Sequence, residues 1–156
     1  MKITIRAASL IKSGPERELI NDYIQRAKII GRNMSVTDIN EHSLDTRNLK
    51  TKTDITKALV RGLSPSNITI VLDERGKART SRQIASKIGQ WRDGGEPHIT
   101  FLIGGAEGFD KNALPANCHK WCLGAQTWPH KLTRVMIAEQ IYRSLSILAK
   151  TPYHKD

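Results

Sequence analysis

Alternating and continuous apolar stretches along the chain predict a series of β-strands. Residues 2–7 alternate polar and apolar side chains, which is the pattern of a strand with one buried face. Residues 67–72 and 98–103 are dominated by β-branched and other apolar side chains, as in strands buried on both faces of a parallel sheet. Shorter apolar stretches at residues 34–39 and 120–123 predict two further strands.

Helical patterns fill the intervals between these strands. Ser13 with Glu16 and Thr80 with Gln83 have the spacing of a capping box, which marks the start of a helix. The polar stretch of residues 40–53 is expected to form an exposed loop that leads into the second helix. The predicted helices cover roughly residues 15–30, 54–62, 80–92 and 132–150, and a short helix or turn is predicted at about residues 112–117.

The last predicted helix carries the longest apolar stripe of the chain. The stripe recurs at helical spacing and consists of Leu132, Val135, Ala138, Ile141, Leu145 and Leu148. Such a stripe covers either the chain's own sheet or a second copy of the chain. Trp121 and Trp128 add apolar surface in a chain with few other aromatic residues, and this favours a homodimer.

Strands that alternate with helices define an α/β fold with a mainly parallel sheet flanked by helices. A length of 156 residues suits one compact domain that spans residues 1–156. Ligands of such sheets bind at the carboxyl ends of the strands, where loops and helix amino termini meet. Three predicted loops lie there, at residues 73–77, 104–108 and 124–131, so we expect the functional site among them.

Positive charge is in large excess. The chain has 25 Lys and Arg residues against 15 Asp and Glu, which gives a formal net charge of +10. This excess favours a polyanionic partner, and nucleic acid above all. Several cations lie in or near the expected ligand end and are candidates for a phosphate-binding face: Arg75, Lys77, Arg79, Lys131, Arg134, Arg143, Lys150 and Lys155.

The apolar stretches and the cysteines of the sequence indicate the cellular compartment. No apolar stretch has the length that a membrane span needs, and the first twenty residues carry charges where a signal peptide has an apolar centre. Two cysteines are too few for the disulfide framework of a secreted protein. We therefore expect a cytoplasmic protein without a membrane partner.

Cys118, His119, Cys122 and His130 are of the residue types that bind zinc. Three residues separate the two cysteines, whereas a zinc knuckle usually has two, and a second paired motif is missing from the sequence. Two small cysteines in the core are the better interpretation, so we expect no metal site.

The five-residue segment of residues 104–108, Gly-Gly-Ala-Glu-Gly, follows a predicted buried strand. Without side chains, its backbone can approach a ligand closely and offer amide groups to it. The segment matches neither the phosphate loop of nucleotide hydrolases nor the dinucleotide-binding fingerprint. A plain tight turn therefore remains an alternative to a ligand site.

The last six residues follow the long helix directly, and Pro152 prevents that helix from continuing. A frayed end is the ordinary expectation for such a tail. Tyr153 and His154 nevertheless offer a ring that can stack on a base and a group that titrates near neutral pH.

Five segments, taken together and in this order, resemble one known family. They are Val71-Leu-Asp-Glu-Arg-Gly-Lys77, Phe101-Leu-Ile-Gly-Gly-Ala-Glu-Gly108, Leu123-Gly-Ala-Gln-Thr-Trp-Pro-His130, Ile137-Ala-Glu-Gln-Ile-Tyr-Arg143 and Pro152-Tyr-His-Lys155. The family is that of the ribosomal RNA large subunit methyltransferases H, of the SPOUT class. The resemblance implies a trefoil-knotted methyltransferase fold, a homodimer and S-adenosylmethionine as methyl donor. It also implies methylation of the N3 atom of a pseudouridine in 23S rRNA of the assembled ribosome.

The same resemblance implies which residues bind the methyl donor. These are Leu72, Gly104, Gly105, Leu123, Gly124, Ala125, Gln126, Thr127 and Trp128. The chain departs from the family pattern at Ala106, Gly124 and Lys155, where relatives often have Pro, Ser and Arg. Lys155 keeps the positive charge of arginine but cannot bind a phosphate through two parallel hydrogen bonds.

The chemistry implied is an in-line displacement in which the base nitrogen attacks the donor methyl group. His154 is the candidate general base, Arg143 the candidate cation that stabilises the anionic base, and Tyr153 the candidate stacking ring. Two alternatives remain at this point. A non-catalytic ribosome-binding or assembly protein would have the same charge, and an enzyme of a small phosphorylated substrate would also use a glycine turn with basic neighbours.

Overall fold

Five strands pair in parallel to form a single sheet in the computed structural model, which describes residues 1–155. Helices connect them, as expected for an α/β fold. The elements are β1 (Lys2–Ala8), α1 (Pro15–Arg32), β2 (Asp38–Leu44), α2 (Lys52–Val60), β3 (Ile68–Ala78), α3 (Ser81–Asp93), β4 (His98–Ile103), a 3₁₀ turn (Lys111–Ala113), β5 (His119–Cys122) and α4 (His130–Leu148).

The strand order across the sheet is β2-β1-β4-β3-β5. Lys2 of β1 pairs with Asp38 of β2 on one side and with His98 of β4 on the other. Strand β4 lies in the centre, and its residues 99–103 are all buried. The β-branched and apolar pattern of the central strands is thus explained by helices that cover both faces of the sheet.

The two faces of the sheet are covered unequally. On one face α1, α3 and α4 pack over the sheet and build the larger core, which includes Ala27, Ile88 and Ile141. On the other face α2 builds a smaller core, in which Leu59 contacts apolar side chains of β3 and β4. No helix in residues 1–155 is long and apolar enough to cross a membrane.

Strand β2 begins later than the sequence pattern predicts. The predicted strand spans residues 34–39, but the observed one is Asp38–Leu44, and Val36 lies buried in the turn that precedes it. The reason is that β2 is an edge strand. Only Ile39 is fully buried in it, so its remaining polar residues gave no apolar signal.

The predicted capping box is confirmed at the start of α3 but not at the start of α1. Thr80 and Gln83 form the expected capping box at α3. At α1 the predicted box of Ser13 and Glu16 is wrong, because the N-cap is Gly14 and no side chain caps it. The short helix or turn predicted at about residues 112–117 is found slightly earlier, as the 3₁₀ turn at Lys111–Ala113.

The apolar stripe of α4 covers mainly the chain's own sheet. Ala138, Ile141 and Leu145 are buried in the larger core, whereas Leu132 at the start of the helix is 41% exposed. The two tryptophans differ in the same way, because Trp121 is 2% exposed and Trp128 is 40% exposed. Trp121 is therefore a core residue, and it does not support the argument for a homodimer.

Candidate functional site

A cavity of about 730 Å³ opens at the carboxyl ends of β3, β4 and β5. Segments that follow these strands form most of its wall, as expected for a parallel sheet. Eight of the nine predicted donor-binding residues line this cavity: Leu72, Gly104, Gly105, Leu123, Gly124, Gln126, Thr127 and Trp128. Ala125 belongs to the same loop but is not among the lining residues.

One wall of the cavity is an excursion of β3. The sequence predicts a strand over residues 67–72 and then a loop, but β3 resumes after the loop and continues to Ala78. Both Leu72 and Lys77 pair with Trp121 of β5, so the residues between them bulge out toward the cavity. A Cβ atom at Gly76 would lie 2.4 Å from the carbonyl carbon of Trp121, so only glycine fits here.

The glycine turn after β4 forms the second wall. The amide of Gly108 donates to the carbonyl oxygen of Gly105 at 3.0 Å, and Gly108 has a φ of 72°. A Cβ atom at Gly104 would lie 3.0 Å from Cε2 of Phe109 and 3.1 Å from the carbonyl oxygen of Gly108. A side chain at Gly104 would thus disturb the turn itself.

The loop after β5 forms the third wall and is held by its own side chains. The indole Nε1 of Trp128 donates to the carbonyl oxygen of Leu123 at 3.1 Å. The hydroxyl of Thr127 donates to Glu74 in the β3 excursion at 3.4 Å, which joins two walls of the cavity. Gly124 has a φ of 115°, a conformation that glycine adopts at no steric cost.

The amino end of α2 forms the fourth wall of the cavity. This helix lies on the face of the sheet opposite α1, α3 and α4. Thr53 donates to Asp110 at 2.6 Å, and the amide of Asp110 donates to the buried hydroxyl of Thr56 at 3.0 Å. The hydrogen bond from Thr53 lowers the pKa of Asp110. Sequence reasoning missed this wall, to which Lys52, Asp110, Lys111 and Asn112 belong. The position of Asp110, shortly after a central strand, was the one available signal.

The first turn of α4 completes the cavity with His130 and Thr133. Burial lowers the pKa of His130, and the neighbouring charges of Arg134 and Lys131 lower it further. His130 is the first residue of α4, where the partial positive charge of the helix end also disfavours an imidazolium. The imidazole is therefore a neutral group at neutral pH.

Arg134 lies one turn further along α4 and is completely buried. It donates to the carbonyl oxygens of Ala8 and Ser9 at 2.7 and 2.9 Å, and to Glu41 at 2.9 Å. Its predicted role in a phosphate-binding face is therefore wrong. Arg134 is instead a clamp between the start of α4 and the carboxyl ends of β1 and β2.

Glu41 is the charge partner inside this clamp. Burial alone would raise its pKa, but hydrogen bonds from Arg17 and Ser43 and the charges of Arg17 and Arg134 together lower it. Arg17 donates to the second carboxylate oxygen at 2.7 Å. The carboxylate is thus held ionised between two guanidinium groups.

The three predicted catalytic residues lie together on the last two turns of α4 and the tail. Nη1 of Arg143 lies 3.2 Å from Nδ1 of His154, and the Arg143 guanidinium carbon lies 4.8 Å from the centroid of the Tyr153 ring. Glu139 joins them, because Tyr153 and Arg143 both donate to it, at 3.0 and 2.8 Å. None of the three lines the large cavity.

A second, smaller cavity of about 380 Å³ lies beside this group. Its wall includes Glu139, Tyr23 and Met136, so the carboxylate that holds the tail also faces this space. Leu123 lines both cavities, which places one side chain between the donor-site loop and the tail side. The structure thus arranges the predicted site residues in two neighbouring groups.

The cysteines are only half-buried, contrary to the expectation of a core position. Cys122 lines the large cavity, and burial raises the pKa of Cys118. Over residues 1–155, no group of three or more His, Cys, Asp or Glu side chains is arranged to hold a metal ion.

Comparison with known proteins defines the class. Residues 1–154 match the family model described as "Predicted SPOUT methyltransferase". The chain is 49% identical to the ribosomal RNA large subunit methyltransferase H of Maricaulis maris, with 100% of both chains covered. It is 42% identical to the protein of the same name from Dinoroseobacter shibae, with 99% of both covered. The chain therefore belongs to the SPOUT methyltransferases, and within them to the family of ribosomal RNA large subunit methyltransferases H.

A solved structure is more distant. It is a methyltransferase from Legionella pneumophila in complex with the cofactor SAM, with a TM-score of 0.44 and 11% identity. The alignment covers 95% of this chain and 66% of that one. A likeness of this degree carries no conclusion of its own.

Proposed function

We propose that this protein methylates the N3 atom of a pseudouridine in 23S rRNA of the assembled ribosome, with S-adenosylmethionine as donor. The observation that carries the proposal is identity of up to 49% over the whole chain with proteins named as large subunit rRNA methyltransferases. The net charge of +10 supports a polyanionic substrate. A cytoplasmic location follows from a ribosomal substrate.

The large cavity fits the donor in size and in chemistry. About 730 Å³ lies within the range of small-molecule sites. Leu72 and Leu123 supply apolar walls for an adenine ring, and the glycine turn leaves backbone groups accessible at its edge. The carboxylates of Asp73 and Asp110 suit ribose hydroxyls and the cationic groups of the donor.

S-adenosylmethionine supplies an electrophilic methyl group, carried on a sulfonium that leaves as a neutral thioether. The chain's own task is to orient the donor against the acceptor nitrogen and to keep both in place. The linked walls of the cavity serve this purpose, because Thr127 fastens the loop after β5 to the β3 excursion. The acceptor is expected on the tail side of Leu123, which borders both cavities.

The acceptor nitrogen must also lose its proton, and the arrangement of Arg143 and His154 bears on this step. A guanidinium only donates hydrogen bonds, so Nδ1 of His154 accepts from Arg143 and the neutral imidazole carries its proton on Nε2. His154 is the candidate base, and it accepts the proton only after Nδ1 is released from Arg143. Arg143 is the candidate cation that stabilises the anionic base.

Tyr153 fits a positioning role rather than that of a base. Burial raises the pKa of its hydroxyl, and the hydrogen bond to Glu139 raises it further, so the phenol stays protonated. Its ring lies 4.4 Å from that of Tyr142 and under the Arg143 guanidinium. These contacts order the tail, and the same ring is a candidate to stack on a base extracted from the rRNA.

Methyl transfer to defined substrates tests the proposal. Purified protein is incubated with labelled donor and intact ribosomes, free subunits or naked rRNA. We expect label in 23S rRNA of intact ribosomes, at the N3 atom of a pseudouridine. Chelator is expected to leave donor binding unchanged, because no group of three or more His, Cys, Asp or Glu side chains within residues 1–155 is arranged to hold a metal ion. Donor binding without transfer to any RNA would favour a non-catalytic ribosome-binding protein, and transfer to a small phosphorylated compound would contradict the proposal.

Removal of residues 152–156 separates donor binding from transfer. The walls of the large cavity stay intact in this variant, so donor affinity is expected to match that of the full chain. Transfer to ribosomes is expected to fall sharply, and His154→Ala alone is expected to lose roughly a hundredfold if the imidazole is the general base. A smaller loss that Tyr153→Ala shares would indicate positioning. Full activity of the shortened chain would show that the tail has no catalytic role.

A further inference from the structure

Stacked rings and cations are clustered at the outer edge of the sheet, on β5 and α3. Trp91 of α3 stacks on Trp121 of β5, with ring centroids 5.9 Å apart and planes tilted by 15°. His119, the first residue of β5, lies with its ring centroid 5.4 Å from that of Trp91 and is exposed. The guanidinium carbon of Arg79 lies 5.0 Å from the centroid of the Trp121 ring.

The cations of this cluster are not neutralised. Lys87 precedes Trp91 by one helical turn, and Lys120 is exposed next to His119 in β5. Neither lysine forms an ion pair with another group in residues 1–155. Burial lowers the pKa of His119, and the charges of Arg79 and Lys87 lower it further, as expected in a positive environment. We name the following five residues the edge patch: Arg79, Lys87, Trp91, His119 and Lys120.

The edge patch shares a residue with the smaller cavity and packs on a core residue that borders the large one. Trp121, on which Trp91 stacks, lines the large cavity, and Arg79 lines the smaller one. Nε of Arg79 is buried and has no hydrogen-bond partner within the part of the chain that the structure describes. Strand β5 is the last strand of the sheet, so its outer side is not covered by another strand. A polymer that enters the smaller cavity can therefore continue across the edge patch at Arg79.

We infer that the edge patch is a docking surface for an unpaired rRNA segment that flanks the modified nucleotide. Lys87, Lys120 and Arg79 attract its phosphates, and the exposed ring of His119, backed by Trp91, is a platform on which a base stacks. Unpaired RNA is the partner that this surface fits, because it offers both phosphate charge and accessible base faces. The inference rests on the proposed function, since it takes rRNA as substrate.

Two substitutions test the two kinds of contact. Lys87→Glu is expected to weaken ribosome binding by about tenfold at low salt, and to flatten the dependence of log K on log salt by about one phosphate contact. His119→Ala is expected to weaken binding by about five- to a hundredfold with an unchanged salt slope, because a neutral stacking ring is lost. Binding is measured by cosedimentation with ribosomes at several salt concentrations.

A control separates local from general charge effects. Lys57→Glu makes the same charge change at an exposed position of α2, on the opposite face of the sheet, and is expected to have a much smaller effect. Donor affinity, measured by calorimetry, is expected to be unchanged in both edge-patch variants, which shows that they are folded.

Three outcomes overturn the inference in distinguishable ways. If the wild-type protein methylates ribosomes and both edge-patch variants bind them as tightly as wild type, the docking surface is wrong and the proposed function stands. If the variants instead lose self-association in light scattering, the edge patch is a protein contact. If the wild-type protein neither binds nor methylates ribosomes, the proposed function fails and the inference with it.

Discussion

Gly104 and Gly105 are adjacent at the carboxyl end of β4, yet a side chain at each would meet different surroundings. At Gly104 a methyl group would press on Phe109 and on the backbone of Gly108, whereas at Gly105 its nearest neighbour is Ile55 at 3.6 Å, an ordinary contact. Overpacking of this kind typically costs about 1 to 3 kcal/mol. Gly104→Ala is therefore expected to lower both stability and donor affinity, the latter by about tenfold.

Gly105→Ala is the matched control for this comparison. It is expected to keep stability near the wild-type value, since no neighbour has to move. Its added methyl group borders the large cavity, so donor affinity is expected to fall without a loss of stability. Urea denaturation and calorimetry of both variants provide the measurements. Equal stability of the two variants would mean that the position of Gly104 is not overpacked.

His130 gives a prediction for the effect of pH on stability. Its folded pKa is lower than the unfolded value of 6.5, so the unfolded chain binds more protons as the pH falls. The contribution of His130 to the free energy of unfolding is therefore expected to be fully present above about pH 7 and to be lost as the pH falls below about 6.5. His98 and His119 act in the same direction, so His130→Gln is expected to remove part of the decrease. Urea denaturation between about pH 5 and about pH 7.5 measures the free energy of unfolding of the wild type and of His130→Gln. An unchanged decrease in His130→Gln would show that His130 does not titrate in this range.

At the scale of elements, Arg134 determines how α4 is joined to the sheet. The side chain is fully buried, and its removal takes away the donor to the carbonyl oxygens of Ala8 and Ser9 and one of the two guanidinium partners of Glu41. Breaking a buried charge pair in this way costs about 3 to 5 kcal/mol, and this is the expected loss for Arg134→Met in urea denaturation. Arg134→Lys is expected to recover little of the lost stability, because one ammonium group cannot donate all the hydrogen bonds that the planar guanidinium donates.

An exposed ion pair provides the control for this prediction. Arg26 and Asp22 pair on the surface of α1, with both side chains about half exposed, so Arg26→Met is expected to cost far less stability than Arg134→Met. The double variant Arg134→Met, Glu41→Gln is expected to lose less than the sum of its single variants. Full stability of Arg134→Lys would contradict the role of Arg134 as a clamp between α4 and the sheet.

The same elements show what a single sequence can and cannot reveal. Strands β1 and β4 were predicted to within one residue of their bounds, because burial on one or both faces leaves a clear apolar pattern. The start of β3 was predicted equally well, but its last six residues, which are mostly polar, were predicted as a loop. The polar edge strand β2 has no such pattern, and its position depends on pairing with β1. Burial of Arg134 was likewise unpredictable, since its carbonyl partners Ala8 and Ser9 lie more than a hundred residues away, at 126 and 125 positions.

At the scale of the whole molecule, three walls of the large cavity were predictable and the fourth was not. The carboxyl ends of parallel strands point to one edge, so the three loops that follow β3, β4 and β5 were expected to meet. The wall made by α2 depends on which face of the sheet that helix covers, and periodicity does not determine it. The trefoil knot and the roles of individual site residues stay predictions from the resemblance.

The homodimer is also a prediction at this scale. Large apolar side chains are exposed on α1 and at the start of α4, namely Leu19, Ile29 and Leu132, and the smaller cavity opens between these helices. We expect light scattering at micromolar concentration to give twice the 17.5 kDa of one chain. Leu132→Glu is expected to shift the protein toward the monomer, whereas a wild-type mass near 17.5 kDa would contradict the dimer.

The strand order of the sheet has a consequence for how the chain folds. Strand β1 is made first, but one of its two partners is β4, and Lys2 pairs with His98. Each strand pairing in the sheet joins segments separated by a helix or more, so loop-closure entropy opposes folding before the contacts form. A nascent chain that ends before β4 therefore has β1 with one unpaired edge, exposed to aggregation. We expect slow and cooperative folding that starts only after the first two thirds of the chain have been synthesised.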